Sequence, residues 1–422
     1  MLIKIPLIQC FYGIPSMRKT IEDIQVNTAY RWFLGLTLED KVPHFTTYGK
    51  NYSRRFKDKE VIQEIFTFIL NKVLNTGLVD TDEIFLDATH IKAAANNHKY
   101  RKQEIKQQAK FMSEQLEIEI ERDRRKHEKK PLKPAKESVA KEKKISTTDP
   151  ESGWFHKGEH KEVFAYNAQV ACDKHGWALA YSIEAGNVHD SQAFPTVFAK
   201  IERFNPKYII ADSGYKTPSI AKFLLDKEIT PVFPYTRPRG KREGIRSKEF
   251  IYDDYYDCCL CPANQVLAYS TTNRDGYREY KSNSKICQTC PLLTLCTESK
   301  THQKVVTRHI WRDYLDICED IRHRLGMKDL YKKRKETIER LFGTAKEYHN
   351  FRYTRERGKS KMKDKVGLTL ACLNLKKLVR MMAGKPFYFA LNDRLYRLSD
   401  IFVLLQTKRQ TSNQKFVFGL KP

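Results

Sequence analysis

Two aspartates in this sequence follow short apolar runs of the same form. Asp87 comes directly after the run Ile84 to Leu86, and Asp212 comes directly after the run Tyr208 to Ala211. Short apolar runs bounded by polar turns are typical of buried strands in α/β folds, and functional groups in such folds sit at the carboxyl ends of strands. The pattern predicts two carboxylates that meet in one site. A single aspartate at such a place is more often a turn former or a helix cap.

A third acid, Glu339, lies in a helical run from Tyr331 to Tyr348. Two aspartates and a glutamate offer the hard oxygen ligands that Mg²⁺ prefers, and a pair of such ions can flank the attacking and leaving oxygens of a phosphoryl transfer. Lys346 follows Glu339 by two helical turns and shares its face. This face either holds a metal and a substrate phosphate or is a solvated ion-pair surface.

The charge balance points to a polyanionic partner. The chain has 77 lysines and arginines against 51 acids, a net charge of +26, and 41% apolar residues. A basic globular protein of this size most readily meets DNA or RNA, with a ribosome-associated or membrane-surface protein as the alternative. No apolar run reaches the roughly 18 residues that span a bilayer, and the apolar stretch 1–14 lacks the features of a signal peptide. We therefore expect a cytoplasmic protein whose N-terminus is buried.

Six of the ten cysteines lie between Cys258 and Cys296. Such clustering suggests a reduced compartment and a metal rather than a disulfide framework. Two Cys-x₂-Cys pairs indicate a tetrahedral zinc site, whereas the spacing from Cys287 onward also suits an iron–sulfur cluster. Reduced structural cysteines are the third possibility. Either metal would be structural, because a closed four-thiolate site leaves no open position for a substrate. The candidate ligands are Cys258, Cys261, Cys287, Cys290 and Cys296.

The elements that must position these groups divide the chain into five parts. We predict a helical DNA-binding region at 1–80, the first part of a catalytic core at 81–235, a basic, cysteine-rich insertion at 236–310, the helical remainder of the core at 311–383 and a tail at 384–422. Within the first region, Met17 to Leu34 has the apolar periodicity of one helix.

Two segments of this plan carry additional expectations. Hydroxyls, aromatics and the pair Arg54 and Arg55 lie in segment 44–56 and suit contacts with phosphates and base edges, although a plain helical cap fits as well. The stretch 100–147 is highly charged and predicts a helical arm that ends in a lysine-rich linker. The remaining order is strand, hairpin, helix, strand, helix, strand, which predicts a mixed sheet flanked by helices.

Four motifs in this order resemble the DDE transposases of bacterial insertion sequences, and the resemblance covers nearly the whole chain. The motifs are Phe85-Leu86-Asp87-Ala88-Thr89-His90-Ile91-Lys92-Ala93, Gly186-Asn187-Val188-His189-Asp190-Ser191, Ala211-Asp212-Ser213-Gly214-Tyr215, and Glu339-Arg340-Leu341-Phe342-Gly343 with Lys346. The cysteine-rich stretch is similar as well. The resemblance implies an α/β, ribonuclease H-like core with acids on the first strand, the fourth strand and a late helix.

The resemblance also implies roles for individual residues. Asp87, Asp212 and Glu339 would be the catalytic Mg²⁺ (or Mn²⁺) ligands. Lys346 would be the lysine of the family's Tyr-Arg-Glu-Lys signature, which steers the DNA end, with Arg340 and Asn187 as supporting residues. The first half of the signature departs from the family pattern. At the usual spacing its Tyr and Arg positions are Lys332 and Lys335, while Tyr331 and Arg334 lie one place earlier.

The implied activity is that of a transposase that cuts the element's DNA ends and joins the 3′-hydroxyl to target DNA. The implied setting is a homodimer on paired DNA ends at the bacterial nucleoid, with no membrane. Relatives seem to carry a longer helical region before the equivalent of Met1, so we expect a missing upstream piece. The alternatives are therefore a truncated, catalytically inactive DNA-binding repressor of transposition and a nuclease without strand transfer.

Overall fold

The structure is a computed structural model that describes residues 1–52, 54, 60–105, 111–133, 141–157, 161–236 and 244–383. Its strands are β1 (Glu83–Lys92), β2 (Tyr100–Ile105), β3 (Lys141–Ser146), β4 (Gly153–Lys157), β5 (Lys161–Asp173), β6 (Ala178–Ala185), β7 (Tyr208–Ala211), β8 (Thr230–Val232), β9 (Ile251–Asp253), β10 (Cys258–Leu260), β11 (Val266–Thr272), β12 (Tyr277–Lys281) and β13 (Val305–His309). Its helices are α1 (Lys4–Tyr12), α2 (Met17–Val26), α3 (Thr28–Leu34), α4 (Phe45–Asn51), α5 (Val61–Leu74), α6 (Ser113–Lys126), α7 (Asp190–Ile201), α8 (Pro218–Asp226), α9 (Ser284–Gln288), α10 (Leu293–Cys296), α11 (Arg312–His323), α12 (Met327–Lys332), α13 (Ile338–Tyr348) and α14 (Lys359–Ala383).

A six-stranded mixed sheet forms the centre of the molecule. Its order is β4-β5-β1-β7-β8, and β6 also pairs with β5. The pairs of β5 with β1, β4 and β6 are antiparallel, whereas β1, β7 and β8 run parallel to one another. The predicted mixed sheet flanked by helices is confirmed, because the apolar runs at 84–86 and 208–211 both form strands of its interior.

The parallel strands are fully enclosed. Ile84, Phe85 and Leu86 on β1 and Ile209 and Ile210 on β7 have no exposed surface. Strands buried on both faces have continuous apolar sequences, which is why β1 and β7 could be predicted from the sequence. Helices α7 and α14 pack against β5 and β6, and α13 packs against β1. The ends of β1 and β7 are therefore held in a rigid core.

The N-terminal segment is buried, as predicted, since Ile5 and Ile8 of α1 are almost completely enclosed. The single helix predicted from Met17 to Leu34 is instead two helices, α2 and α3. Asn27 separates them, and its Oδ1 accepts hydrogen bonds from the backbone N–H groups of Ala29 and Tyr30. An asparagine at this place starts a new helix by satisfying its first free N–H groups.

Among the described residues of the charged stretch 100–147, the helical part is Ser113–Lys126 in its middle. Strands β2 and β3 pair antiparallel at its two ends, with Tyr100 opposite Ser146, and α6 lies between them. The prediction of a helical arm was wrong at both ends because β2 and β3 are stabilised by partners far apart in sequence. Lys102 pairs with Glu142 at 3.0 Å, and Lys144 lies 4.4 Å from the ring centre of Trp154.

The cysteine-rich stretch contains a second, antiparallel sheet of order β13-β12-β11-β10-β9. Phe250, Leu267 and Tyr280 form its small apolar core. Asp123 of α6 joins it to the charged stretch through a 2.6 Å ion pair with Arg278. The described residues contain no helix both long and apolar enough to span a membrane.

Candidate active site

Asp87 and Asp212 lie next to each other at the boundary between two parallel strands. Leu86 on β1 is in register with Ala211, the last residue of β7, so each aspartate follows one member of that pair. Asp87 still lies within β1 and is opposite Val170 of β5. The two aspartates are thus brought together, although Asp87 lies in the middle of β1 and not at its end, as the sequence had led us to expect.

Both carboxyl groups are held in surroundings that disfavour their ionised forms. Burial raises the pKa of Asp87 to about 6, with a further contribution from Asp212, although the guanidinium of Arg334 opposes the shift. Burial also raises the pKa of Asp212, and the neighbouring Asp190 adds to that effect. Two partly desolvated carboxylates side by side are typical of a site that binds a cation or handles protons.

A buried arginine supplies positive charge to this pair. Arg334 is 4% exposed and lies in the 3₁₀ turn Lys333–Lys335 that precedes α13. Its Nη2 lies 2.6 Å from Oδ2 of Asp87, and its Nη1 donates a 3.1 Å hydrogen bond to the hydroxyl of Tyr331. Within the described parts of the chain its Nε has no hydrogen-bond partner. A buried polar atom left unpaired in this way marks a place where a further ligand is favourable.

Tyr331 and Arg334, rather than their neighbours, therefore face the carboxylates. Lys332 and Lys335, which occupy the signature positions at the usual spacing, are both exposed. The Nζ of Lys332 pairs with Oδ1 of Asp329 at 2.9 Å on the surface. The sequence contained a signal for this pair. Tyr331 and Arg334 have the same separation from each other as the Tyr and Arg of the family signature, and each lies one place before its usual position relative to Glu339.

Glu339 lies in the first turn of α13 and is exposed. The same helix carries exposed Arg340 and half-buried Lys346, whose Nζ lies 5.9 Å from the ring centre of Phe342. Among the described residues, no group of three histidine, cysteine or acidic side chains is close enough to hold a metal ion. The structure thus brings Asp87 and Asp212 together without Glu339, and the complete acid triad stays a prediction.

A further acid, Asp190, lies beside Asp87 and Asp212. The sequence alone gave no role for Asp190. It is the first residue of α7, and its Oδ1 accepts hydrogen bonds of 2.9 Å from both Asn167 and Gln169. It lies within one of the motifs that carry the resemblance, but a helix-start aspartate is so common that spacing alone could not single it out.

Four of the five candidate cysteine ligands surround a small cavity of about 40 Å³. They are Cys261, Cys287, Cys290 and Cys296. Burial raises the pKa of the Cys296 thiol, and the three neighbouring thiols add to that rise. Cys258 lies on β10 opposite Ala268 and is not among the described residues that line the cavity. Four converging thiols fit a tetrahedral metal, although in the part of the chain described here they are not close enough to chelate one.

The predicted phosphate-contacting segment surrounds α4. Arg54 is exposed, whereas Arg55 lies outside the described residues. Tyr48 and Tyr52 line a cavity of about 420 Å³ together with Lys361 of α14, and the hydroxyl of Tyr52 bonds to Asp364. These aromatic side chains therefore face the rest of the protein, while Arg54 remains available to an external partner.

Comparisons with known families support the resemblance to transposases. The transposase DDE domain matches residues 260–379, a stretch that includes Arg334, Glu339 and Lys346, and a transposase domain (DUF772) matches residues 1–54. No curated protein and no solved structure shows significant similarity to the chain. The expected resemblance is confirmed, because two separate parts of the chain match transposase family models.

Proposed function

We propose that this chain cuts the ends of an insertion sequence and joins the freed 3′-hydroxyl to target DNA by metal-dependent phosphoryl transfer. The observation that carries the proposal is the adjacency of Asp87 and Asp212 at the point where the parallel pairing of β1 with β7 ends. The match to the transposase DDE domain supports it independently. The strand order, with three antiparallel strands followed by two parallel ones, supports a ribonuclease H-like core.

The residues present fit a divalent cation. Two half-buried carboxylates provide hard oxygen ligands, and the ion pair of Asp87 with the guanidinium of Arg334 supports a site that attracts positive charge. We assign Asp87 and Asp212 as ligands of Mg²⁺ or Mn²⁺, with Glu339 completing the set. The bound ion would stabilise negative charge on the attacking and leaving oxygens of an in-line displacement.

The protein's own groups position the DNA. Arg334 lies beside Asp87 and bonds to Tyr331, and Lys346 shares a helix face with Glu339, so these side chains could orient a phosphate at the site. The excess of 26 positive charges neutralises further phosphates, and DNA binding should weaken steeply with salt. Neither step requires a protein nucleophile, since water attacks first and the DNA 3′-hydroxyl second.

Two further assignments belong to the same proposal. Cys261, Cys287, Cys290 and Cys296 would hold a structural Zn²⁺, because they surround one cavity and a four-thiolate site is closed to substrates. A working complex would contain two copies of the chain on paired DNA ends at the nucleoid of a bacterial cell, where Arg54 and Arg55 would help to bind the ends.

A cleavage and joining assay tests the proposal. The substrate is a duplex carrying the DNA that flanks the gene, with Mg²⁺ or Mn²⁺, and the proteins are wild type, Asp212→Asn and the exposed control Asp254→Asn. We expect wild type and the control to cut and join equally. Asp212→Asn should lose at least about 100-fold in rate while it still binds DNA.

The other outcomes separate the alternatives. Nicks without joined products would indicate a nuclease. DNA binding by all three proteins without cleavage would overturn the catalytic proposal and favour a repressor. Equal cleavage by wild type and Asp212→Asn would remove the carboxylate pair from the chemistry.

A further inference from the structure

A network of buried amides lies behind the carboxylate pair. Asn167 and Gln169 point from β5 and have no exposed surface. Both amide groups donate to the same oxygen, Oδ1 of Asp190, at 2.9 Å. The hydroxyl of Tyr215 donates to Oε1 of Gln169, so the amide nitrogen of that side chain must face Asp190. Three elements, β5, α7 and the turn after β7, thus fix one carboxylate.

The second oxygen of Asp190, Oδ2, and Oδ1 of Asp212 both lie beside Gly214. A Cβ added at Gly214 would lie 2.8 Å from Oδ2 of Asp190 and 3.1 Å from Oδ1 of Asp212. Both carboxylates therefore border the same small space. The backbone N–H of Gly214 donates to Oδ1 of Asp212 at 2.9 Å, which holds this carboxylate in place as well.

The charges around this space do not balance. Burial raises the pKa of Tyr215. The neighbouring charges of Asp190, Asp87 and Asp212 raise it further, whereas the positive charge of Arg334 lowers it. When ionised, the three carboxylates carry two more charges than the single guanidinium neutralises. Like charges in a partly desolvated site repel strongly, and a divalent cation would neutralise the excess.

We propose that Asp190 is a positioning residue of the metal site, whose fixed negative charge beside Asp212 strengthens divalent-cation binding by Asp87 and Asp212. This inference rests on the proposed function, because it concerns the same site. Asp190 acts through Asp212 and through the local field, and does not touch the DNA.

A purely structural role for Asp190 makes a different prediction. An acid in the first turn of a helix is favourable through the helix dipole alone, and its removal would then lower stability without changing cation affinity. Glu114, an exposed acid in the first turn of α6, provides the matched control. The substitution Glu114→Gln removes the same kind of charge far from Asp212 in the chain.

The experiment measures Mn²⁺ binding to the full chain from the electron paramagnetic resonance signal of the free ion. The proteins are wild type, Asp190→Asn, Glu114→Gln and Asp87→Asn. Asparagine at 190 keeps an oxygen for the two amides and loses only the charge. We expect Asp190→Asn to bind roughly tenfold more weakly, Glu114→Gln to match wild type and Asp87→Asn to lose the site.

Each outcome has a separate meaning. Absence of a wild-type site that depends on Asp87 would overturn the metal assignment in the proposed function. A wild-type site lost in Asp87→Asn but unchanged in Asp190→Asn would overturn only the role of Asp190. If the melting temperature of Asp190→Asn is well below that of wild type, the variant Tyr215→Phe is used in its place. This change removes the hydrogen bond that holds Gln169 and keeps all three carboxylates. Tyr215→Phe should bind about threefold more weakly, and wild-type affinity in this variant would reject the inference.

Discussion

Arg334 and Asp87 form a buried ion pair between the last third of the chain and the first strand of the sheet. Nη2 of Arg334 lies 2.6 Å from Oδ2 of Asp87, and the two side chains are 5% and 16% exposed. The pair joins the stretch that matches the transposase DDE domain to a carboxylate well outside that match. The candidate site is thus assembled only when both parts of the chain fold together.

Replacement of Arg334 should destabilise the metal-free protein. In Arg334→Gln the buried carboxylate of Asp87 loses its ion-pair partner, which costs about 3 kcal/mol in unfolding free energy. Exposed Lys335→Gln should change stability by less than about 0.5 kcal/mol. Urea unfolding in the presence of a chelator measures the free energy of unfolding of both variants. Equal stability of the two variants would show that the ion pair contributes nothing to the fold.

Cation binding should weaken as the pH falls through 6. Burial raises the pKa of Asp87 to about 6 and also raises that of Asp212, so protons compete with the metal for both carboxylates in mildly acidic solution. Above the pKa the carboxylates are ionised and affinity should be constant. Below it, affinity should fall about tenfold per pH unit or more steeply. Mn²⁺ titrations between pH 5 and 8 test this, and a constant affinity from pH 5 to 7 would contradict it.

The sequence predicted the parts of this site that rest on local patterns. The apolar runs before Asp87 and Asp212 identified buried strands, because strands enclosed on both faces have no polar alternation to obscure them. The order of strands and helices then predicted a mixed sheet, with functional groups at the carboxyl ends of its strands. The meeting of these two aspartates could therefore be expected before any coordinates.

The parts that depend on distant partners could not be predicted. Strands β2 and β3 have charged sequences, and only their pairing with each other makes them strands. The burial of Arg334 depends on Asp87, and the role of Asp190 depends on two amides of β5. Local periodicity carries no information about such long-range contacts. The spacing of the family signature from Glu339 pointed instead to Lys332 and Lys335, which are exposed.

Substitution of Gly214 should impair the site by crowding. A methyl group there would lie 2.8 Å from Oδ2 of Asp190 and 3.1 Å from Oδ1 of Asp212, closer than packed atoms allow. Because the amide network holds Asp190 in place, we expect Gly214→Ala to lose about 1–3 kcal/mol of stability and to bind Mn²⁺ more weakly.

Gly343 is the matched control for this change. It lies on α13, and a Cβ there would meet none of the described residues within 4 Å. Gly343→Ala should stabilise the protein by roughly 0.5–1 kcal/mol, as alanine does in an open helical position. Thermal unfolding compares the two variants. Wild-type stability and Mn²⁺ affinity in Gly214→Ala would show that the carboxylates can move apart freely.

The cysteine cluster should hold one metal ion through four of its thiols. Cys261 and Cys290 line the shared cavity and Cys258 does not, so Cys261→Ser and Cys290→Ser should lose bound zinc while Cys258→Ser keeps it. Elemental analysis of the purified full chain gives the metal content directly.

Loss of zinc in Cys258→Ser would mean that the two Cys-x₂-Cys pairs bind together instead. Iron with sulfide in the wild type would indicate a cluster, and a wild type without either metal would leave these cysteines as reduced thiols of a small core.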